Sequence, residues 1–286
     1  MAKFDTVQLL KMINLKGDLP AGRFADQDLL DLAYDCLLSK VAPAVLAARE
    51  DYLVTYQDFP ITAGQASYVI PYRAMFGKLR EVKLIRGTTV IHLERRDLEE
   101  VRTVVQDSPQ AFYMSDDTVV LYPTPVITQD TLRLFYYIRP SKLVTVPECA
   151  QITAIAGNQL TITIPSGWTT ANTFDIVRGQ GRFDIIAFDL TATSVSGNTV
   201  TLTNAVPATV QVGSFITLAE QTCFPYLPPE FHVALTEYSY AAALRSIGDQ
   251  NSQAAADEAD KLIQSAQFPI KTRVDGAPKI LGRRFL

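Results

Sequence analysis

Little in this sequence belongs to the chemistry of catalysis. Its 286 residues include two histidines, three cysteines and one tryptophan. The cysteines, Cys36, Cys149 and Cys223, are odd in number and far apart. They form no metal spacing such as CxxC and fit a reducing compartment. No GxSxG, HExxH, GxxxxGK[ST] or EF-hand loop is present, so no hydrolase, zinc-protease, phosphate-loop or calcium-loop reading has a motif to stand on. No apolar run reaches the roughly 18 residues that a membrane helix needs. Met1–Leu19 carries no long apolar stretch, so no signal peptide is expected. Positive charge is also scarce: 26 Lys and Arg stand against 30 Asp and Glu, a net of −4. A general grip on nucleic acid needs a dense basic surface to displace counterions, and this chain has none.

What is present is ordinary globular material, 48% apolar and 20% charged. At this length a core can form without disulfide or metal, with about two domains as a starting expectation. The periodicity changes twice. Residues 26–50 read as helix: Leu30, Ala33, Leu37, Val41, Ala44 and Ala48 share one face, and Asp26 or an adjacent residue caps the start. Pro43 falls inside this pattern and should kink or split the helix. A shorter helix is expected near Thr6–Asn14. From Tyr52 to about Thr222 the period becomes 2, with strands expected at Tyr52–Tyr56, Ser67–Ile70, Leu79–Ile85, Thr118–Tyr122 and Leu132–Arg139. Aromatic residues on both faces of the last suggest that neither face is freely solvated. Arg96–Val105 is expected as a short helix. From Pro228 to Gln267 helix returns, with Phe231, Leu235, Tyr238 and Ala242 on one face. It breaks at Gly248-Asp249 and ends at Pro269.

A repeat lies within the β region. Residues 152–178 match 192–218 at a constant offset of 40: Gly157-Asn158 falls on Gly197-Asn198, Leu160–Thr163 on Val200–Thr203, and Ile176 on Ile216. Gly-Asn between alternating runs marks a two-residue hairpin. Each copy is therefore a hairpin plus a third strand, and two copies can make a small sandwich or closed barrel that hides its edges. The fold class is α+β: a helical bundle formed by the N- and C-terminal helices, with a large inserted antiparallel β region that includes this module. The divisions are 1–50 and 225–268 for the two parts of the bundle, 51–148 for a β-rich domain, 149–224 for the repeat module, and 269–286 for an extended basic C-terminal arm.

Single residues offer little chemistry. His92 and His232 read as surface or packing imidazoles. Asp175, Asp184 and Asp189 are too irregularly spaced for a calcium loop and read as turn residues. Gly179-Gln180-Gly181 reads as a β-turn, and the run from Glu94 to Glu100 as a solvated helix face. Trp168 reads as packing, with a sugar-stacking role as the sharper alternative. Catalytic, cofactor and metal residues are all assigned as none, and no enzyme activity is expected. The electrostatic exception is the C-terminus: Lys271, Arg273, Lys279, Arg283 and Arg284 stand against Asp275 alone. That is a net of +4 and leaves the remaining chain at −8. A basic arm on an acidic body reads as a docking device.

Several segments together resemble a known family. They are Val41-Ala-Pro-Ala-Val-Leu, Arg49-Glu-Asp-Tyr-Leu-Val, Ile61-Thr-Ala-Gly, Tyr68-Val-Ile-Pro-Tyr-Arg-Ala, Leu79-Arg-Glu-Val, Pro228-Pro-Glu-Phe-His and Gly276-Ala-Pro-Lys. In this order the chain resembles the head-to-tail adaptor (connector) proteins of tailed bacteriophages, the tail tubular A type especially. The resemblance implies a homo-oligomeric, dodecameric ring docked beneath the portal protein, with the C-terminal arm reaching the portal. It implies a tail nozzle or tail tube on the opposite face. DNA would pass through the channel without specific binding, and the acidic body agrees with that. The protein would sit in the neck or tail of the virion after assembly in the host cytoplasm, with no cofactor and no membrane. The competing reading is a carbohydrate- or receptor-binding tail protein that uses the repeated β module.

Overall fold

The computed structural model describes residues 4–17, 19–20, 22–97, 108–126, 128–179 and 184–271. They form a mixed α+β structure of several antiparallel sheets and a few helices. Two compact units divide it, one within Met1–Arg49 and Pro140–Leu286, the other within Glu50–Arg139. The 149–224 module thus falls in the same unit as the helices.

In the first unit, helix α1 spans Thr6–Asn14 and α2 spans Asp26–Cys36. Asp5 starts α1 by accepting the Gln8 N–H at 3.0 Å. The start of α2 uses the reverse half of a capping box, in which the Asp28 carboxylate accepts the Ala25 N–H at 3.0 Å. Pro43 neither breaks nor sharply ends the helical run. The turn before it, Leu37–Val41, widens to a π turn, and α3 (Ala42–Ala48) begins with Pro43 in its first turn. Proline has no N–H to give and its ring crowds the carbonyl four residues earlier, so a locally wider turn accommodates both.

Helix α4 (His232–Ser246) follows a short 3₁₀ turn at Pro229–Phe231 and packs against α1, α2 and α5 (Ser252–Lys271). Its burial exceeds the single face that the apolar spacing indicates, since every residue from Ala234 to Ala241 is buried. The polar ones among them are satisfied. Thr236 and Ser239 donate to the His232 and Leu235 carbonyls at 3.0 and 2.7 Å, Lys16 pairs with Glu237, and the Tyr238 hydroxyl donates to Asp260. Helix α5 also corrects the expected end at Pro269, because it runs to Lys271. A proline near a helix end forfeits its own bond, while the residues after it can still donate to carbonyls a turn earlier.

The second unit holds two four-stranded sheets. One is ordered β1 (Val54–Pro60), β8 (Thr131–Ile138), β3 (Ala74–Arg86), β4 (Thr89–His92); the other β2 (Ser67–Val69), β7 (Thr118–Tyr122), β6 (Ala111–Ser115), β5 (Glu94–Arg95). Glu94 and Arg95 are therefore strand, and most of the helix expected over Arg96–Val105 lies outside the described residues. Strand β8 lies between β1 and β3, and side chains from both neighbours flank its aromatics, with the Tyr56 ring of β1 5.6 Å from Phe135. Tyr136 and Tyr137 are buried, while the Lys83 ammonium lies over Phe135 at 4.6 Å. Opposite Asp58, Arg133 forms a two-point ion pair at 2.7 Å and covers the Tyr56 ring.

The repeat folds as the hairpin signals indicate. Gly157 (φ 63°) turns β11 (Ala154–Ala156) into β12 (Gln159–Thr161), and Gly197 (φ 59°) turns β14 (Ile185–Ser196) into β15 (Thr199–Leu202). The third strands are β13 (Thr173–Val177) and β16 (Phe215–Leu218). The strand order is β10 (Ala150–Gln151), β16, β13, β14, β15, β12, β11. Its first and last members are successive pieces of one run, 150–156, so the order closes on itself. Ile152 bonds to Ser214 on one side and Thr153 to Thr161 on the other. The copies pair with each other at equivalent positions, Leu160 with Val200 and Ile176 with Ile216. Ile162 N–H donates to Asn198 and Leu202 N–H to Asn158, at 2.9 and 2.8 Å. A pseudo-twofold axis therefore runs through the ring, and the apolar interior draws only on residues 150–218.

Two outcomes test this packing. Leu37 is fully buried, and Leu37→Asp would place an unpaired carboxylate there, at a cost of several kcal/mol (about 3 or more). Thermal melting that matches the parent would show that this contact does not hold the helices. Residues 149–224 expressed alone should give a β-type circular dichroism spectrum and a cooperative melt, since their core is their own. A featureless spectrum would show that the barrel depends on the helices.

Candidate functional site

The barrel joins the rest of its unit at one root. Strands β9 (Lys142–Leu143) and β17 (Gln221–Thr222) lie side by side in parallel, one entering the barrel and one leaving it. Lys142 N–H donates to Glu220 at 2.7 Å and Val144 N–H to Thr222 at 3.0 Å. The helices fasten here as well. Gln27 of α2 donates to the Leu143 carbonyl at 3.1 Å, Asp31 pairs with Lys142 at 3.0 Å, and the Thr6 N–H at the start of α1 donates to the Cys223 carbonyl at 3.0 Å. Beneath the pair lies a small apolar cluster of Val177, Phe215, Cys223 and Phe224, with the Phe215 and Phe224 rings edge-on at 4.8 Å.

Two of the aspartates, Asp175 and Asp184, have structural work. Asp175 is fully buried and accepts the N–H groups of Asp189 and Glu220 at 3.0 and 2.9 Å. Both donors have positive φ, 51° and 61°. One carboxylate thus holds two left-handed residues, a conformation that L side chains adopt at a cost. Asp184 is taken by Arg178 at 2.7 Å. Among the described residues, no group of three His, Cys, Asp or Glu could hold a metal. Gly179 is required by packing: a Cβ there would come within 1.7 Å of the Gly213 carbonyl oxygen. Gln180 and Gly181 lie outside the described residues.

The other singled-out side chains are equally engaged. Trp168 is buried in the barrel core against Phe174, ring centres 5.0 Å apart, so its face is not offered to a sugar. His92 is exposed, with Nδ1 2.8 Å from Glu81. His232 stacks on Phe4 at 4.0 Å, and burial holds its pKa below the ordinary histidine value. A cavity of about 240 Å³ opens among Cys36, Lys40, Tyr238, Arg245 and Asp260. Burial, then the Asp35 carboxylate, push the Cys36 thiol up to about 11, so it is no thiolate at neutral pH. Tyr238 is likewise pushed up, by burial and then by Asp260.

Of the proposed arm residues, Lys271 is the last residue of α5, while Arg273, Lys279, Arg283 and Arg284 lie outside the described residues. A different surface feature escaped the sequence reading. Between the Ala74–Ile138 and Leu79–Tyr136 pairs, β3 carries extra residues, and Phe76 (φ 55°) and Gly77 (φ 62°) form the crest of this bulge. Phe76 is 82% exposed, and Tyr72 and Val69 shortly before it are exposed too. A bulky residue in a left-handed conformation, facing solvent, is an outlier on both counts. The Phe-Gly dipeptide inside a strand pattern is the signal that could have located it.

These features define a class before a family: an α+β protein with an inserted β barrel, in which the ionisable side chains named above serve packing, caps and ion pairs. The model of the SU10 adaptor protein family matches residues 7–171, more than half of the chain. The chain belongs to the SU10 adaptor protein family, which makes it a bacteriophage head-to-tail adaptor, a structural component of the virion that interacts with portal and tail components. A search of curated proteins finds no match. No helix among the described residues is long and apolar enough to cross a membrane.

Asp175→Asn should test the carboxylate's task. One acceptor oxygen becomes a donor group facing a backbone N–H, so a loss of about 1–3 kcal/mol of stability is expected. Chemical denaturation of the variant measures it; an unchanged midpoint would show that water replaces the carboxylate.

Proposed function

We propose that this adaptor forms a homo-oligomeric, dodecameric ring beneath the portal protein, with the tail nozzle or tail tube on its opposite face and the genome passing through its channel. The observation that carries the reading is the family match over residues 7–171. Three features support the finer statements. The packing of α1 and α2 on α4, and of α4 on α5, fits a bundle that draws on both chain ends. The chain without residues 269–286 carries a net charge of −8, which would discourage phosphate contact along a DNA path. The basic C-terminus, with Arg273, Lys279, Arg283 and Arg284 beyond the helical Lys271, suits an arm that docks on the portal. Fully extended, residues 272–286 would reach about 50 Å, enough to climb a neighbouring subunit. Many weak copies around a ring would together make a stable joint. The neck of the virion is the place of action, and assembly takes place in the host cytoplasm. For the alternative, a carbohydrate- or receptor-binding tail protein that uses the repeated β module, the burial of Trp168 in the barrel core removes one sugar-stacking candidate.

A chain stopped after Lys271 provides the test. It should fold normally yet fail to attach to purified portal or to DNA-filled tailless heads. Attachment of the full chain should weaken as salt rises, with a residual from the apolar Ile280, Leu281, Phe285 and Leu286. Attachment equal to that of the full chain would move the portal contact elsewhere on the protein.

A further inference from the structure

The bulge on β3 presents a bulky side chain where the fold itself gains nothing from it. Phe76 faces solvent in a left-handed conformation, φ 55°. L side chains hold that conformation at a cost, and such outliers gather where ligands and partners are gripped. Glycine would sit there without the cost. The base of the crest is rigid. Arg139 N–H donates to the Arg73 carbonyl at 2.8 Å, the Arg139 guanidinium donates to the Tyr72 carbonyl at 2.7 Å, and Arg73 Nε donates to the Tyr72 hydroxyl at 3.1 Å. The crest is therefore positioned in advance, which lowers the entropy that a docked state must give up. Residues 70–80 carry Arg73, Lys78 and Arg80 and no acid, a net of +3, and Lys78 and Arg80 are exposed.

A complementary cavity belongs to the other unit. Between the end of α1 and the start of α2, a cavity of about 380 Å³ is walled by Leu19, Pro20, Phe24 and Leu29, with Asn14 and Asp26 as its polar groups. A cavity of about 150 Å³ already holds benzene, so a phenyl ring has room here. Residues 17–36 hold Asp18, Asp26, Asp28, Asp31 and Asp35 against Arg23 alone, a net of −4, and Asp26 and Asp28 are exposed. We propose that the Phe76 crest of one copy seats in the α1–α2 cavity of the next copy. The complement to the crest is found on this chain itself, in shape and in charge, which selects a second copy as the occupant. Knob and hole are different surfaces, so the contact is heterologous: each copy gives its crest to one neighbour and its cavity to another. Such contacts repeat until they close into a ring or run on as a filament. The basic crest meets the acidic cavity, which orients the approach and disfavours crest against crest. The inference rests on the ring reading and names the surfaces that join its copies.

The test uses the full chain with p-benzoylphenylalanine in place of Phe76, half of it isotope-labelled, mixed with DNA-filled tailless heads and irradiated. The expected product joins position 76 of one copy to residues 19–29 of another, seen as cross-linked peptides of mixed label. No link from position 76, or a link to portal or capsid protein or to other residues of a copy, overturns the proposal. A lysine-reactive cross-linker applied to the parent chain on the same heads separates two failures. A ladder in multiples of 31.6 kDa without the position-76 link leaves the ring standing and removes the crest contact. No ladder removes the ring and this contact together. Phe76→Gly gives an independent readout. It should weaken assembly on the heads at least about tenfold, with a thermal midpoint equal to the parent's or higher, because glycine suits the left-handed backbone. Assembly of Phe76→Gly equal to the parent's, or a fall in its midpoint, overturns the proposal.

Discussion

The parallel pairing of Lys142–Leu143 with Gln221–Thr222 is the constraint on which the first unit depends. Parallel strands are joined by a long crossover, and here the entire barrel is that crossover. Because its two ends are held side by side, the rest of the chain needs no adjustment to accept the insertion, and loop closure becomes more costly only slowly with length. Two residues of ladder would be feeble alone. They persist because α1 ends its opening turn on the Cys223 carbonyl, α2 reaches Leu143 and Lys142, and the Phe215–Phe224 pair fills the space beneath.

The barrel shows how a duplication becomes a closed object. One hairpin plus a strand presents unpaired edges, and a second copy related by a twofold axis presents the same edges in the opposite sense. Leu160 therefore meets Val200 and Ile176 meets Ile216, each position facing its own counterpart. The symmetry is imperfect where it matters for connection. The first copy bends at Ile152 and Thr153 to leave one group of strands for the other, whereas the second covers the same ground with the single long strand Ile185–Ser196. That strand carries register shifts along its pairings, and Asp189 in it takes a left-handed conformation secured by Asp175.

Much of this was legible in advance because it is local. The Gly-Asn turns, the period-2 runs and the apolar stripe of 26–50 depend on neighbours a few residues apart. The ends of elements were harder. Pro43 and Pro269 are breakers by propensity, yet the π turn at Leu37–Val41 absorbs the first and the second sits near enough to the end of α5 to be tolerated. The all-round burial of α4 was hidden because Thr236, Glu237 and Ser239 look solvent-seeking. They are satisfied by backbone carbonyls and by Lys16, which no periodicity reports. The least legible features were those made by distance in sequence. The double cap by Asp175 exists only after the strands have closed, and the Phe76 bulge depends on the register between β3 and β8.

An assembly protein must attach in chosen places and nowhere else, and strand edges are the usual place where that control is lost. The barrel satisfies its edges internally. Edge strands among the described residues include the two-residue β9 and β17 of the first unit and, in the Glu50–Arg139 unit, the short β2 and β5 of one sheet and β1 and β4 of the other. β1 carries the Arg133-paired Asp58 and ends at Pro60, which has no N–H to offer, and β4 is four residues long with His92 bound to Glu81. Short length, charge and proline blunt such edges against indiscriminate pairing. What remains presented is side-chain surface of defined shape, above all the Phe76 crest with Tyr72.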